Sequence, residues 1–421
     1  IYDKTMSLSQ FVQELKQAAQ NGEGYTLENC HITYSNSDKK YLSDNNSCAT
    51  IDESLNFDVL SEVNIKNCKF GNIIYEKKKS VKGFDNLFGS FASKIIFQNS
   101  HFGDLTFTNI NADIRLDNIT ATTGVSYKIT NDSPHTLEII SSNINGVYLN
   151  CNEKIDRTNI DYEIKIQNSN INFCVARNIE RLRFLDNTVS TVITDGYSKL
   201  VVFEKNEFFA SFNNILYVGY YKALKNYTLE IGNFSGIEMG RMSRFNPVHI
   251  DELRIIGNRF HNISNQLSVD TLLFILKDYE LNNKNKYKSR WSPLENKFGF
   301  IHDRNIDIKG YNLKWSNQQK ITFYNKISHE NDSFKIKYDN IARISIRESS
   351  FDNLIIRNNT IKECFVFKNK ISTSLEITET KADSLMYFYK NRIPDKHNIK
   401  IDKSAIHKLG FMYKGGLHYY G

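Results

Sequence analysis

The residues best suited to chemistry in this chain are two acids and a base in the short stretch "NADIRLDN". Asp113, Arg115 and Asp117 alternate there with the apolar residues Ile114 and Leu116. Because successive side chains point to opposite faces of a β-strand, the three charged groups are expected to share the outward face. Paired carboxylates suit acid–base hydrolysis of a glycosidic bond, and carboxylates also bind Ca²⁺. The alternative is an exposed ladder of ion pairs, which would contribute little energy.

The same alternation recurs further along the chain, so Asp113, Arg115 and Asp117 are expected to begin a longer outward stripe of charge. In neighbouring strands of this stripe, Glu163 is expected beside Arg181 and Lys165 beside Arg183. The further members of the stripe are Glu138, Glu163, Lys165, Arg181, Arg183 and Arg254.

An internal repeat must position these strands. In "LRIIGNRFHNIS" the alternating apolar residues Leu253 and Ile255 are followed by Asn258, and then by Phe260 and Ile263. "LRFLDNTVSTVI" and "LIIRNNTIKEC" repeat this pattern, and other copies carry Cys or Ser in place of the Asn. Copies begin about every ten residues, which suits a coil of roughly twenty residues made of two units. Strands from successive coils are then expected to stack in parallel.

These units resemble the "I-x-x-N-x-I" repeats of right-handed parallel β-helix proteins. The run "SSFDNLIIRNNTIKECFVFKNKI" is also similar to pentapeptide repeats. The resemblance implies an all-β fold, a right-handed parallel β-helix solenoid. Leu354 and Leu375 fill slots that strict pentapeptide repeats keep small, which favours a wider, pectate-lyase-like bore. Asn258 is then expected to be a turn residue or a member of an interior ladder that hydrogen-bonds between coils.

The first segment, residues 1–23, is predicted to be an amphipathic capping helix. Ser7 and Gln10 form a capping box, and Gly22 suits the end of a helix. A stripe of Phe11, Leu15 and Ala18 gives the helix one apolar face. A helix in this position would cover the open edge of the first coil.

The remaining chain is predicted to divide into β-helix coils over 24–266, an irregular insertion over 267–319, and coils with the C-terminal end over 320–421. The insertion contains both tryptophans and the basic run "KNKYKSRW". Long loops on a repetitive scaffold often carry function, although a solvated loop with its tryptophans packed onto the coils is the simpler alternative. The candidate binding residues are Lys286, Tyr287, Arg290, Trp291 and Trp315.

The cysteines favour a location outside the cytoplasm. Cys30 and Cys48 flank a polar loop, so a disulfide between them is plausible. Cys68 and Cys364 fall on repeat slots and are expected to be small buried residues. The protein is therefore expected to be extracytoplasmic, whether periplasmic, secreted or on a bacterial surface.

Composition argues against several functional classes. The net charge of +7 is spread over 421 residues, and it does not predict nucleic-acid binding, which needs clustered charge. No apolar run approaches the roughly 20 residues of a transmembrane helix.

The hydrolases of the resembled group carry Asn-Thr-Asp, Asp-Asp, Gly-His-Gly and Arg-Ile-Lys motifs, and the sequence contains none of these. No nucleophile elbow for Ser/His/Asp chemistry and no glycine-rich phosphate loop is present either.

We therefore expect a non-catalytic β-helix scaffold of a bacterial envelope or surface, without a cofactor, that presents a face or a loop to a glycan or protein partner. One alternative is a polyuronate lyase or related carbohydrate-active enzyme. The resemblance implies that such a lyase would pair Ca²⁺-binding carboxylates with an Arg or Lys base, for which Asp113, Arg115 and Asp117 are the candidates. A second alternative is the soluble part of a larger membrane-attached protein.

Overall fold

The computed structural model describes most of the repeat region. The described residues are 2–33, 62–70, 94–108, 112–129, 135–151, 162–209, 217–223, 226–239, 248–261, 263–264, 334–393, 398–402, 408–413 and 416–420. In these ranges the chain forms β-strands with a single α-helix, so the expected all-β class is confirmed.

The elements follow one another in a regular order. The first are β1 (Lys4–Ser7), α1 (Leu8–Asn21), β2 (Tyr25–Glu28), β3 (Cys30–Thr33), β4 (Glu62–Lys66), β5 (Lys69–Phe70), β6 (Lys94–Gln98), β7 (His101–Thr108), β8 (Asp113–Asp117), β9 (Thr120–Ile129), β10 (Leu137–Ile140), β11 (Asn143–Cys151), β12 (Glu163–Gln167), β13 (Asn170–Arg177), β14 (Arg181–Leu185) and β15 (Thr188–Asp195). The rest are β16 (Tyr197–Glu204), β17 (Glu207–Phe209), β18 (Tyr217–Ala223), β19 (Asn226–Met239), β20 (His249–Ile256), β21 (Arg259–His261), β22 (Ile263–Ser264), β23 (Phe334–Arg347), β24 (Ser350–Arg357), β25 (Thr360–Phe367), β26 (Lys370–Thr378), β27 (Lys381–Arg392), β28 (Ile399–Asp402), β29 (Lys408–Tyr413) and β30 (Gly416–Tyr420).

The strands form two ladders that are mostly parallel. Ladder I joins β2, β4, β6, β8, β10, β12, β14, β16, β20, β24, β26 and β28. Ladder II joins β1, β3, β5, β7, β9, β11, β13, β15 and β17, and it continues through β21, β25, β27 and β29. The chain alternates between the two ladders, which is consistent with a parallel β-helix.

Alternation along each strand places the core between the ladders. In β12 the residues Ile164 and Ile166 are fully buried, while their neighbours are half-exposed. Leu253 and Ile255 of β20 follow the same pattern. Each inward residue stacks on its counterpart in the next coil, as Ile164 does on Leu182. Burial of such side chains is worth about 1.5–3 kcal/mol each, so neighbouring coils stabilise one another.

The turns after most strands of ladder I use a left-handed residue directly before a buried polar slot. Gly257 has φ +67° and precedes Asn258, and Asn358 has φ 52° and precedes Asn359. Asn tolerates this conformation better than most residues, and glycine adopts it without a steric cost. Of the two roles expected for Asn258, the structure therefore assigns the turn to Gly257 and the interior ladder to Asn258.

The N-terminal helix spans Leu8–Asn21, which is shorter than the predicted segment 1–23. The Ser7 hydroxyl accepts a hydrogen bond from the Gln10 backbone N–H at 3.2 Å, and Gly22 ends the helix at φ +69°. The capping box is only half formed, because the Gln10 side chain donates to Glu14 instead of returning to Ser7. The predicted apolar stripe is confirmed, since Phe11, Leu15 and Ala18 are all buried. Strand β1 precedes the helix and pairs in parallel with β3, a rung that the sequence analysis missed.

The chain divides into two compact units. The first comprises residues 1–208, 237–260 and 344–421, and it contains most of both ladders. The second comprises 209–236 and 261–343, where β18 pairs in antiparallel fashion with β19 and β22 with β23. The predicted insertion over 267–319 lies outside the described residues, and its boundaries stay a prediction.

The cysteines on repeat slots are buried, as predicted. Burial raises the pKa of the Cys68 thiol to about 11 and that of Cys364 to about 12. Cys30 is also buried, but Cys48 lies outside the described residues, so a disulfide between them stays a prediction.

Candidate functional site

Strand β8 places Asp113, Arg115 and Asp117 on the outward face of ladder I, while Ile114 and Leu116 point inward. The Asp113 side chain is the most exposed of the three charged groups, at 58%. Arg115 is 41% exposed and Asp117 27%. The alternation that the sequence predicted for this stretch is therefore present, and all three groups are open to solvent.

Arg115 lies between two carboxylates. Its Nη2 is 3.2 Å from Oδ2 of Asp117, and its Nη1 is 3.4 Å from Oε2 of Glu138 in the next strand. Asp113 does not join this group, since its Oδ1 accepts a hydrogen bond from the Thr136 backbone N–H at 3.1 Å and lies 3.6 Å from Nδ1 of His135. The structure thus brings Arg115 and Asp117 together and engages Asp113 elsewhere.

The longer stripe follows the predicted register at first. Glu163 lies opposite Arg181 and Lys165 opposite Arg183, as expected. The closest ion pair is diagonal, with Nε of Arg183 2.7 Å from Oε2 of Glu163.

The register reaches Arg254, as predicted, but the run of charged residues is interrupted before it. Val202 lies between Arg183 and Arg254 in the ladder, and it is buried at 3% exposure. Arg254 instead bonds Glu252 of its own strand, with its Nε 2.6 Å from Oε1. The unbroken run of charge therefore ends at β14, and Arg254 is in register beyond the interruption.

The stripe is built as a set of half-exposed ion pairs. Such pairs are typically worth at most about 1 kcal/mol each because water screens them. An arginine that donates to two carboxylates is poorly placed to remove a proton from a substrate. Across the described ranges, no group of three or more His, Cys, Asp or Glu side chains is arranged to hold a metal ion. The described residues of the stripe therefore do not fit the calcium site that a lyase would need.

A second surface, which the sequence analysis missed, lies on the outward face of ladder II. Tyr148 in β11 is a large apolar side chain that stays exposed, at 47%. Its ring lies over Gly146, where a methyl group would come within 2.9 Å of the Tyr148 Cε2 atom. A methyl group on Gly124 of the preceding coil would lie 3.5 Å from the same carbon. The ring therefore needs a glycine at position 146, whereas Gly124 is needed for the Gly146 carbonyl oxygen, which a methyl group there would approach to 2.6 Å.

Phe173 of the next coil extends this aromatic surface. Its ring centroid lies 6.3 Å from that of Tyr148, at an interplanar angle of 57°. Beside the rings, Nδ2 of Asn172 donates to Oδ1 of Asn145 at 3.2 Å. We call the rings of Tyr148 and Phe173, with Gly124, Gly146 and the amides of Asn145 and Asn172, the aromatic platform.

Alternation in "NINGVYLNC" could have predicted the outward direction of Tyr148, because Val147 and Leu149 are apolar neighbours that point inward. The glycine two residues before Tyr148 is the second signal, since glycine in a strand often marks a close approach. The predicted binding residues Lys286, Tyr287, Arg290, Trp291 and Trp315 lie outside the described residues, and their role stays a prediction.

No protein-family model matches the chain, and no curated protein or solved structure matches it either. Within the described part of the chain, no helix is long and apolar enough to span a membrane.

Proposed function

We propose that this chain is a right-handed parallel β-helix that binds a glycan on the aromatic platform of ladder II. The observation that carries the proposal is the exposed Tyr148 ring, which lies against Gly146 with Phe173 beside it. A flat, exposed aromatic ring stacks well on the apolar face of a sugar.

The surroundings of the platform support a sugar ligand. Its outward neighbours in β9, β11 and β13 include the hydroxyl of Ser126, the amide of Asn150 and the bases Lys128 and Arg177. Amides and hydroxyls are suitable partners for sugar hydroxyls. The two bases favour a glycan that carries some negative charge, although Arg177 also bonds Asp195 in the next strand.

The location belongs to the same proposal. A glycan-binding β-helix would act outside the cytoplasm of a bacterium, in the periplasm, on the surface or in the medium. Trp291 and Trp315 would add a second contact to a glycan or a protein partner.

The test is affinity electrophoresis in gels that contain polygalacturonate, alginate, heparan or chondroitin, with and without Ca²⁺. We expect retardation of the wild-type protein by at least one polymer. Tyr148→Ala should weaken that binding by about tenfold or more, as truncation of a central aromatic contact usually does. The matched control is Phe209→Ala, because Phe209 is also an exposed aromatic residue, at 41%, and lies outside the platform.

The same samples test the lyase alternative. Ultraviolet absorbance of unsaturated uronate, together with release of reducing sugar, would reveal cleavage. Turnover that is lost in Arg115→Ala would replace the binding proposal with an enzyme at the charged stripe. Equal retardation of wild type and Tyr148→Ala would show that the platform is not the binding site.

A further inference from the structure

Four polar side chains from three consecutive coils meet at the beginning of ladder I strands. Tyr197 in β16 lies opposite His249 in β20, and His249 lies opposite Ser350 in β24. Asp251 follows His249 by two residues and therefore projects from the same outward face. All four residues belong to the first compact unit.

The hydrogen bonds connect these side chains in a fixed order. Nδ1 of His249 lies 2.7 Å from the Ser350 hydroxyl, and Nε2 of His249 lies 3.1 Å from Oδ1 of Asp251. The Tyr197 hydroxyl donates to Oδ2 of Asp251 at 3.1 Å. The Tyr197 ring also stacks on the imidazole, with centroids 5.6 Å apart and planes at 20°. The imidazole is therefore held on one side by a ring and at both nitrogens by polar partners.

These partners determine where the imidazole carries its proton. An ionised Asp251 only accepts hydrogen bonds, so Nε2 of a neutral His249 must carry the hydrogen. Nδ1 is then left with a lone pair that faces the Ser350 hydroxyl. The hydroxyl has one other acceptor in reach, the Val248 carbonyl oxygen, but that contact is longer, at 3.3 Å. Neutral His249 is thus arranged to accept the Ser350 proton.

We propose that Ser350, His249 and Asp251 form a nucleophilic site that hydrolyses short acyl esters. The Ser350 oxygen attacks the ester carbonyl carbon while its proton passes to Nδ1 of His249. The bond to the alcohol oxygen then breaks, and the departing alcohol takes that proton, which leaves an acyl ester on Ser350. Water attacks this ester and gives a proton to His249, and Ser350 recovers the proton as the carboxylic acid leaves.

The surroundings indicate which esters would reach the site. His249 and Asp251 are 40% and 36% exposed, so a substrate can approach without a channel. The exposed Lys370 lies opposite Ser350 in the next coil, where its ammonium can favour the oxyanion that forms during attack. An open sheet face suits a short acyl group, such as an acetyl ester on a larger molecule, better than a long apolar chain.

The chemistry assigns separate roles to the four residues. Ser350 is the nucleophile and His249 the base, because both contact the reacting atoms. Asp251 and Tyr197 are positioning residues that act on the imidazole. The site goes beyond the proposed glycan binding and does not depend on it, since the platform lies on ladder II and these residues lie on ladder I.

The first test is covalent labelling of the intact chain with a fluorophosphonate, which phosphonylates activated serines. We expect a label on the peptide that contains Ser350, found by mass spectrometry, and no label there in Ser350→Ala. His249→Ala should slow the labelling about 100-fold, the usual size of a general-base contribution. Asp251→Asn should slow it less while circular dichroism and the melting temperature stay close to wild type.

The matched control is Ser374→Ala. Ser374 lies on the same ladder, but its hydroxyl donates to Oδ1 of Asn353 at 2.7 Å rather than to an imidazole. Ser374→Ala should leave both the labelling at Ser350 and the hydrolysis of p-nitrophenyl acetate unchanged. The proposal is overturned if the folded wild-type protein takes up no more label at Ser350 than at Ser374, or if His249→Ala labels as fast as wild type. Glycan retardation in the same preparation reports separately on the platform.

Discussion

Asn258 and Asn359 lie one coil apart in the interior of ladder I, although 101 residues separate them in sequence. The backbone N–H and the side-chain Nδ2 of Asn258 both donate to Oδ1 of Asn359 at 3.0 Å. Asn206 of the preceding coil donates to Oδ1 of Asn258 in the same way, at 2.9 Å from each nitrogen. The side-chain oxygen of each Asn thus accepts a hydrogen bond from the backbone N–H of the Asn in the preceding coil. The ladder therefore couples adjacent coils.

Asn258→Ala should therefore destabilise the protein. The substitution leaves the Asn206 N–H and the Phe203 carbonyl oxygen without the partner that Asn258 supplies. Each buried polar group without a partner costs about 1–3 kcal/mol, so we expect a loss of about 2–6 kcal/mol in the free energy of unfolding, measured by urea denaturation. The exposed Asn170→Ala is the control and should change stability by less than about 0.5 kcal/mol. A loss in Asn258→Ala no larger than in this control would show that the ladder contributes nothing net.

Much of this interior could be predicted from the sequence. Alternation gives the inward direction of residues such as Leu253 and Ile255, and the recurring polar slot indicates a ladder at Asn258. The exact turn residue could not be predicted, because Gly257 and Asn258 both tolerate a left-handed conformation. Strand β1 was missed because its four residues contain a single buried apolar side chain, Met6, too few for a periodic signal.

The candidate sites were less predictable for a different reason. The pairing of β20 with β24 passes over the residues between 256 and 350, so nothing local in the sequence indicates that His249 meets Ser350. The platform depends on the side-chain conformation that places the Tyr148 ring over Gly146. Alternation predicts only that Tyr148 points outward, and it does not predict this conformation. By contrast, the stripe around Arg115 was found because its residues are adjacent in sequence.

Gly196→Ala should be more damaging than Gly257→Ala. Both glycines have positive φ, +79° and +67°, so each substitution places alanine in a conformation that costs about 1 kcal/mol. A methyl group on Gly196 would also overlap Oδ1 and Cγ of Asn178, whereas one on Gly257 would lie 3.6 Å from the Lys205 side chain. We expect a melting temperature for Gly196→Ala that is several degrees lower than for Gly257→Ala. Equal melting temperatures would mean that the Asn178 side chain moves away at little cost.

Gly146→Ala tests whether glycan binding depends on the orientation of the Tyr148 ring, because this variant keeps the ring but moves it. The new methyl group would come within 2.9–3.2 Å of Cε2, Cζ and Oη of Tyr148, so the ring must swing away from the sheet. Glycan retardation should then fall about as far as in Tyr148→Ala, while the melting temperature changes little because the ring is already half exposed. Retained binding in Gly146→Ala would show that the ligand does not need a flat ring. Phe209→Ala again serves as the control for general effects on the aromatic surface.

Cys364 should make the protein less stable at alkaline pH. Burial raises the pKa of this thiol to about 12, whereas in the unfolded chain it ionises near its ordinary value of about 8.5. The folded state therefore holds a proton that the unfolded state releases, and the stability present below about pH 8.5 is lost as pH rises toward 12. Each such group lowers the free energy of unfolding by about 1.4 kcal/mol per pH unit within this window. Cys364→Ala removes this contribution. The free energy of unfolding, measured by urea denaturation, should therefore fall less between pH 8 and 10 in Cys364→Ala than in the wild type. The comparison uses the slope of the free energy of unfolding against pH, because the cost of the cavity that alanine leaves is the same at every pH. Equal slopes in the two proteins would show that the thiol has the same pKa in the folded and unfolded states.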